Sequence, residues 1–97
     1  MRLRYTRPAL ADFNALLEAI AIHSPQAAHR VQRRIEAVIE LLLVYPGIGA
    51  YTDAREIQRV TTSPYPYLVF YQATQAEIII HAVRHGARNP SGMPGAA

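Results

Sequence analysis

The chain contains no cysteine, no lysine and no tryptophan. Without cysteine there is no disulfide, no thiolate nucleophile and no Cys-based metal site. No apolar run approaches the length of a membrane span. The most apolar early stretch, residues 15–22, is interrupted by Glu18, so secretion and membrane insertion are not expected and a cytoplasmic location is. All ten cationic side chains are arginine. Arginine pairs bidentately with phosphate and carboxylate, which suits a nucleic acid or an acidic protein partner. Codon usage in a GC-rich genome is the better explanation of the missing lysine. The net charge of +3 is too small to argue for nucleic acid by itself.

A chain of 97 residues with 51% hydrophobic content supports one domain with a modest core. Residues 2–5 alternate, with Leu3 and Tyr5 on one side, and read as a first strand. Thr6 can cap a helix and Pro8 suits its first turn. Leu10, Phe13, Leu17 and Ile20 then recur at helical spacing, which predicts a first helix over about residues 8–23. Ser24-Pro25 restarts the chain as a second helix. Its apolar stripe is Ala28, Val31, Ile35, Val38 and Leu42, with Ile39 and Leu43 beside it, and it should end before Pro46-Gly47. Two helices with almost no linker fold back as an antiparallel hairpin.

The period then changes. Residues 51–60 carry an alternation through Arg55-Glu56-Ile57-Gln58-Arg59-Val60, Ser63-Pro64 and Pro66 mark a turn, Tyr67-Leu68-Val69-Phe70-Tyr71 is a dense β-former run, and residues 77–84 carry Ile78-Ile79-Ile80 and Val83. The expected fold is α+β in the order β-α-α-β-β-β, a helix hairpin on one face of a small, mainly antiparallel sheet. A single domain should cover residues 1–88, and residues 89–97 have no period and should fray.

The last two strands look apolar on both faces. Strict alternation sends Leu68 and Phe70 one way and Tyr67, Val69 and Tyr71 the other, and sets Ile78 and Ile80 against Ile79 and Val83. One hairpin covers one face. The bare face would be an exposed apolar patch, the usual mark of a binding site. Loops, the tail or a second copy are the plain alternatives as its cover.

Chemistry concentrates in Arg84-His85-Gly86-Ala87-Arg88. Arginines neutralise phosphate, and a histidine among cations resists protonation and can act as a base. Arg55-Glu56, expected on the first meander strand, could reach the same end of the sheet, and Tyr67 and Tyr71 could stack on a base or donate a proton. A ribonuclease set would be Arg55, Tyr71, His85 and Arg88, with arginine stabilising the phosphorane charge. Ordinary pairing and packing explain each member too. The residues expected to meet a target or partner are Arg55, Glu56, Tyr67, Val69, Tyr71, Arg84, His85 and Arg88. His23, His29, His81 and His85 lack metal-ligand spacing, there is no phosphate loop, and no metal or cofactor is expected.

Six short pieces in a fixed order carry a resemblance: Pro8-Ala9-Leu10-Ala11-Asp12-Phe13; the hinge Ile22-His23-Ser24-Pro25-Gln26-Ala27-Ala28; Leu42-Leu43-Val44-Tyr45-Pro46-Gly47-Ile48-Gly49; Arg55-Glu56-Ile57; Tyr67-Leu68-Val69-Phe70-Tyr71; and the run from Ile78 to Arg88. Together the chain resembles the RelE/ParE toxins of type II toxin–antitoxin systems. The hinge carries serine where the family often has asparagine. The resemblance implies a toxin silenced by a cognate antitoxin wrapped over hairpin and sheet. For the ParE branch it implies a ParD-like antitoxin with a ribbon-helix-helix domain, so that DNA is met only through the antitoxin. The ending His85-Gly86-Ala87-Arg88 resembles the ParE ending, which implies DNA gyrase as target. The other branch would be a ribosome-dependent mRNA interferase. A lysine-rich catalytic set of the RelE kind cannot exist here, although an arginine-based one can.

Overall fold

Thr6 closes the first strand and opens the first helix. Its backbone N–H donates to the Ile80 carbonyl at 3.0 Å. Its hydroxyl accepts from the Ala9 N–H at 3.2 Å, the N-cap bond that satisfies an orphan amide. Ser24 does the same work twice. Its N–H ends the first helix on Ile20 O at 2.9 Å, and its hydroxyl caps the second on Ala27 N–H at 3.1 Å. One residue therefore joins two helices, and they pack antiparallel. The computed structural model describes residues 1–86, so Arg88 and the expected tail 89–97 lie outside the described residues. The elements are β1 (Arg2–Tyr5), α1 (Arg7–His23), α2 (Pro25–Val44), β2 (Ala50–Tyr51), β3 (Gln58–Thr62), β4 (Tyr65–Ala73) and β5 (Glu77–His85).

The fold is α+β, two helices on a five-stranded mixed sheet of order β1-β5-β4-β3-β2. β1 runs parallel to β5, and the other pairs are antiparallel. α2 buries Ala28, Val31, Ile35, Val38, Ile39 and Leu42, the stripe its sequence spacing predicts. α1 differs from expectation by one position. It buries Ala9 and Phe13, while Leu10 is exposed. The small Ala9 lets the helix sit close to its neighbours, while Phe13, Leu17 and Ile20 stay on the core side as expected. The aromatic rings of Tyr5 and Phe13 stack at 6.5 Å.

Three further expectations are corrected. Arg55 and Glu56 are not on a strand. The residues 52–57 form a tight loop between β2 and β3, closed by Thr52 N–H on Ile57 O at 3.0 Å. Glu56 sits there at φ 64°, a left-handed conformation that no strand residue adopts. Strict alternation also fails on β5. Phe70 pairs with Ala82 and Tyr71 with Ile80, so His81 is an extra residue in a bulge. The bulge shifts the phase, and Val83 joins Ile78 and Ile80 in the core beneath the helices instead of siding with Ile79. Pro66, expected in the turn, lies inside β4 near its start.

The exit from α2 is tied down by a buried knot. The Tyr71 hydroxyl donates to Pro46 O at 2.7 Å and accepts from Gly49 N–H at 2.9 Å. Gln58 Nε2 donates to Gly49 O at 2.9 Å. A Cβ at Gly49 would come within 2.6 Å of the Tyr71 hydroxyl and 2.7 Å of Arg59 O, so only glycine fits. At the opposite side of the sheet, β1 pairs with β5 only as far as Ile80. Beyond it, the Val83 amide donates to Asp12 Oδ2 at 3.2 Å, and Asp12 also pairs with Arg84 at 3.5 Å. A helix carboxylate thus plugs an otherwise open sheet edge.

Tyr71→Phe leaves a buried amide and a buried carbonyl without their partner. It is expected to cost about 2 kcal/mol, or roughly 8–16 °C in Tm by calorimetry. Gly49→Ala should be at least as damaging, since the clash is with backbone as well as side chain. Burial raises the Tyr71 pKa above its ordinary 10.0, and burial together with Glu36 and Glu40 raises that of Tyr5. The folded state holds these protons more tightly than the unfolded chain. Their contribution to stability should be complete below about pH 10 and lost as pH rises through the raised values, as urea midpoints across that range will show.

Candidate functional site

The sheet face away from the helices is not bare. Its apolar members Phe70, Ile79 and Ala82 are buried, and Leu68 is half-buried. No large exposed hydrophobic of the described chain comes from β4 or β5. Polar and charged groups frame this floor. Arg4 is the register partner of Ile79, and Arg59 that of Phe70; long arginine stems lie readily over apolar neighbours while their heads stay in water. The expectation of an open apolar sheet face is therefore overturned. Exposed apolar residues sit elsewhere, several of them at the end of α2 and the loop after it. Val44 is 66% exposed, Tyr45 58% and Tyr51 77%, with Leu41 and Ile48 beside them in sequence.

The residues singled out from sequence separate into groups. Val69 and Tyr71 face the helices and are fully buried, so they offer no surface to a partner, and the Tyr71 hydroxyl is engaged in the knot. Their alternation was legible, but the side on which the helices sit was not. Tyr67 and His85 are register partners, and their rings meet edge to face at 5.5 Å. The His85 Nδ1 is buried without a hydrogen-bond partner among the described residues. Arg84 is exposed and held by Asp12. Arg55 and Glu56 are exposed in the β2–β3 loop, which adjoins the Gln58–Tyr71 pairing. His85 is opposite Tyr67, four residues from Tyr71 along β4, or about 13 Å of strand. The set Arg55, Tyr71 and His85 is thus not brought together, and Arg88 lies outside the described residues.

Sequence reasoning missed a different cluster. His81, thrown out by the bulge, donates through Nε2 to Gln72 Oε1 at 3.2 Å, in the tautomer protonated there. Gln72 Nε2 in turn reaches Glu56 Oε2 at 3.5 Å. Arg4 clasps Glu77 with Nε at 3.2 Å and a terminal nitrogen at 3.4 Å. Burial, and then the positive charge of Arg4, hold the His81 pKa below its ordinary 6.5. At neutral pH His81 is an uncharged imidazole among polar groups. Only the bulge assembles this cluster, and no spacing rule announces it. A second feature is an open groove of about 490 Å³, lined by Arg59, Thr61, Ser63, Tyr65, Pro66, Tyr67, Leu68 and Gly86. It lies where the β3–β4 hairpin meets the end of β5. Among the described residues no group of histidine and carboxylate side chains is arranged to hold a metal ion, and no helix is long and apolar enough to cross a membrane.

The lowered His81 value has a direct consequence. An NMR titration of the ring should give a midpoint below 6.5, and Arg4→Gln should move it upward by removing the charge while leaving the burial. The contribution of His81 to stability is then present above pH 6.5 and lost as pH falls through the lowered value.

Known proteins match this arrangement. The family model described as the ParE toxin of the type II toxin–antitoxin system parDE matches residues 3–90. A curated relative, Toxin RelE2 of Caulobacter vibrioides, is 32% identical over 84 residues, covering 87% of this chain and 93% of its own. The solved structure titled a chromosomal ParDE TA system from P. aeruginosa superposes with a TM-score of 0.77 at 22% identity, over 88% of this chain and 95% of that one. The family match spans both helices and all five strands, and on it the chain belongs to the ParE toxin family of type II toxin–antitoxin systems.

Proposed function

We propose that this toxin acts by binding, with DNA gyrase as its target, and that it is held inactive in the cytoplasm by a cognate ParD-like antitoxin. The observation that carries the binding reading is the fate of the candidate ribonuclease set. The Tyr71 hydroxyl is buried and consumed by Pro46 and Gly49. His85 pairs with Tyr67 farther along β4. Neither is placed to share a phosphate with Arg55. The absence of lysine removes the other common source of cationic catalysis. What remains exposed is arginine and apolar surface, which is material for recognition. The groove with Arg59 on its wall suits an extended antitoxin segment that carries apolar side chains and a carboxylate. DNA contact then comes through the antitoxin, in keeping with the small net charge of +3. The single domain proposed over residues 1–88 carries this function, with Arg84 and His85 at the end of β5, and Arg88 three residues later in sequence, as contacts.

The His81 cluster favours one competing reading, an mRNA interferase in which neutral His81 takes the ribose 2′-hydroxyl proton. The two are separated by paired assays. Purified toxin should block gyrase supercoiling or accumulate cleaved DNA, leave mRNA on translating ribosomes intact, and lose its effect when the co-expressed antitoxin is added. Cleavage of ribosome-bound mRNA that disappears in His81→Ala, with supercoiling untouched, would reverse the assignment.

A further inference from the structure

The outer face of α2 carries opposite character at its two ends. At 100° per residue, Arg30, Arg33, Ala37, Glu40, Leu41 and Val44 all fall on the side opposite the buried stripe, and all are exposed. The face is divided along its length. Its first half is cationic, with Arg30 and Arg33. Its second half is apolar and acidic, with Glu40, Leu41 and Val44, the last 66% exposed. The smallest side chain, Ala37, lies at the division. Arg30 and Arg33 form no ion pair or hydrogen bond among the described residues, and neither does Glu40.

We propose that two copies of this chain pair through antiparallel α2 helices crossing at Ala37. A two-fold axis through that residue sets each position opposite the one whose number brings the sum to about 74. Arg30 then lies over Val44 of the second copy, and Arg33 between its Leu41 and Glu40. Arg33 and Glu40 occupy the same flank of the helix, and in an antiparallel pair like flanks face each other, so two Arg33–Glu40 ion pairs form across the axis. The alanine at the crossing lets the backbones approach. The arginine stems cover the apolar end of the other helix while their charged heads reach its acid. The face from Arg30 to Val44 is about 21 Å long and about 10 Å wide, so the two copies together cover roughly 400 Å² of projected surface, the size of a weak, concentration-dependent pair. A self-complementary face of this kind closes as a dimer rather than a chain.

The test is sedimentation equilibrium of the full chain from about 1 to 200 μM, in low salt. The wild type should show a concentration-dependent dimer. Arg33→Glu and Glu40→Arg should each weaken it at least tenfold, since each sets like charges opposite one another. Arg33→Glu combined with Glu40→Arg should restore it to near the wild-type value. Circular dichroism will show that these exposed substitutions leave the fold in place. A wild type that remains monomeric at 200 μM overturns the proposal. So does a dimer indifferent to the single substitutions, or one that the double substitution fails to restore. Protection of α2 from hydrogen exchange by an antitoxin, with no self-association of the toxin, gives the face to a different partner and also overturns it.

Discussion

The hydroxyl of Tyr71 is the tie on which the arrangement of layers depends. It joins the exit from α2 to the centre of the sheet, and it does so without a disulfide, since the chain contains no cysteine. The loop must turn from the helix layer down to the sheet edge within residues 45–49. Two of its backbone groups are spoken for by one side chain and a third by Gln58. Gly49 is required because the tyrosine ring and the β3 backbone fill the space a side chain would need. A consequence reaches the surface. With the backbone of this loop held, Tyr45 and Ile48 are turned outward, and β2 begins immediately after with Tyr51 exposed. The apolar surface of this loop therefore lies over a polar knot.

Much of the fold was legible in the sequence where a single residue type has a local job. Thr6 and Ser24 announce helix starts through their hydroxyls, and Pro46-Gly47 announces an end. The α2 stripe repeats often enough to define its buried side without ambiguity. Legibility failed where two local patterns agree in sequence and differ in space. The alternation from Arg55 to Val60 reads as one strand, yet Glu56 takes a left-handed conformation and splits it. Leu10 outranks Ala9 in hydrophobicity, but close packing selects the smaller residue for the interior. The bulge at His81 was hidden for the same reason. Nothing in Ile79-Ile80-His81-Ala82-Val83 marks where the phase slips, and the slip decides which face Val83 occupies.

The candidate site shows the same division. Assignment to the toxin family was legible because it rests on an order of short motifs, and order survives errors in individual strands. The physical argument for a partner pointed to the wrong surface. It treated the sheet face as bare because apolar residues alternate there, whereas register sets arginines beside them and those residues are buried. Tyr71 looked like chemistry and proved to be structure. His81 looked incidental and proved to be the one histidine drawn into a polar network. A tyrosine on a strand next to a helix hairpin is more often a strut than a proton donor, and a histidine at a bulge merits the closer look.

The function proposed for this domain is recognition of other molecules by its surface. Arginine and apolar side chains are prominent among its exposed groups, and His81 lies at a bulge between the Phe70 and Tyr71 pairings. The most direct test of that account is a binding titration of purified gyrase with the folded toxin, followed by calorimetry. A saturable complex of fixed stoichiometry, formed without any covalent change in either protein, is the predicted result. No detectable complex at micromolar concentrations, together with mRNA loss in translating extracts at toxin levels far below the ribosome concentration, would contradict it.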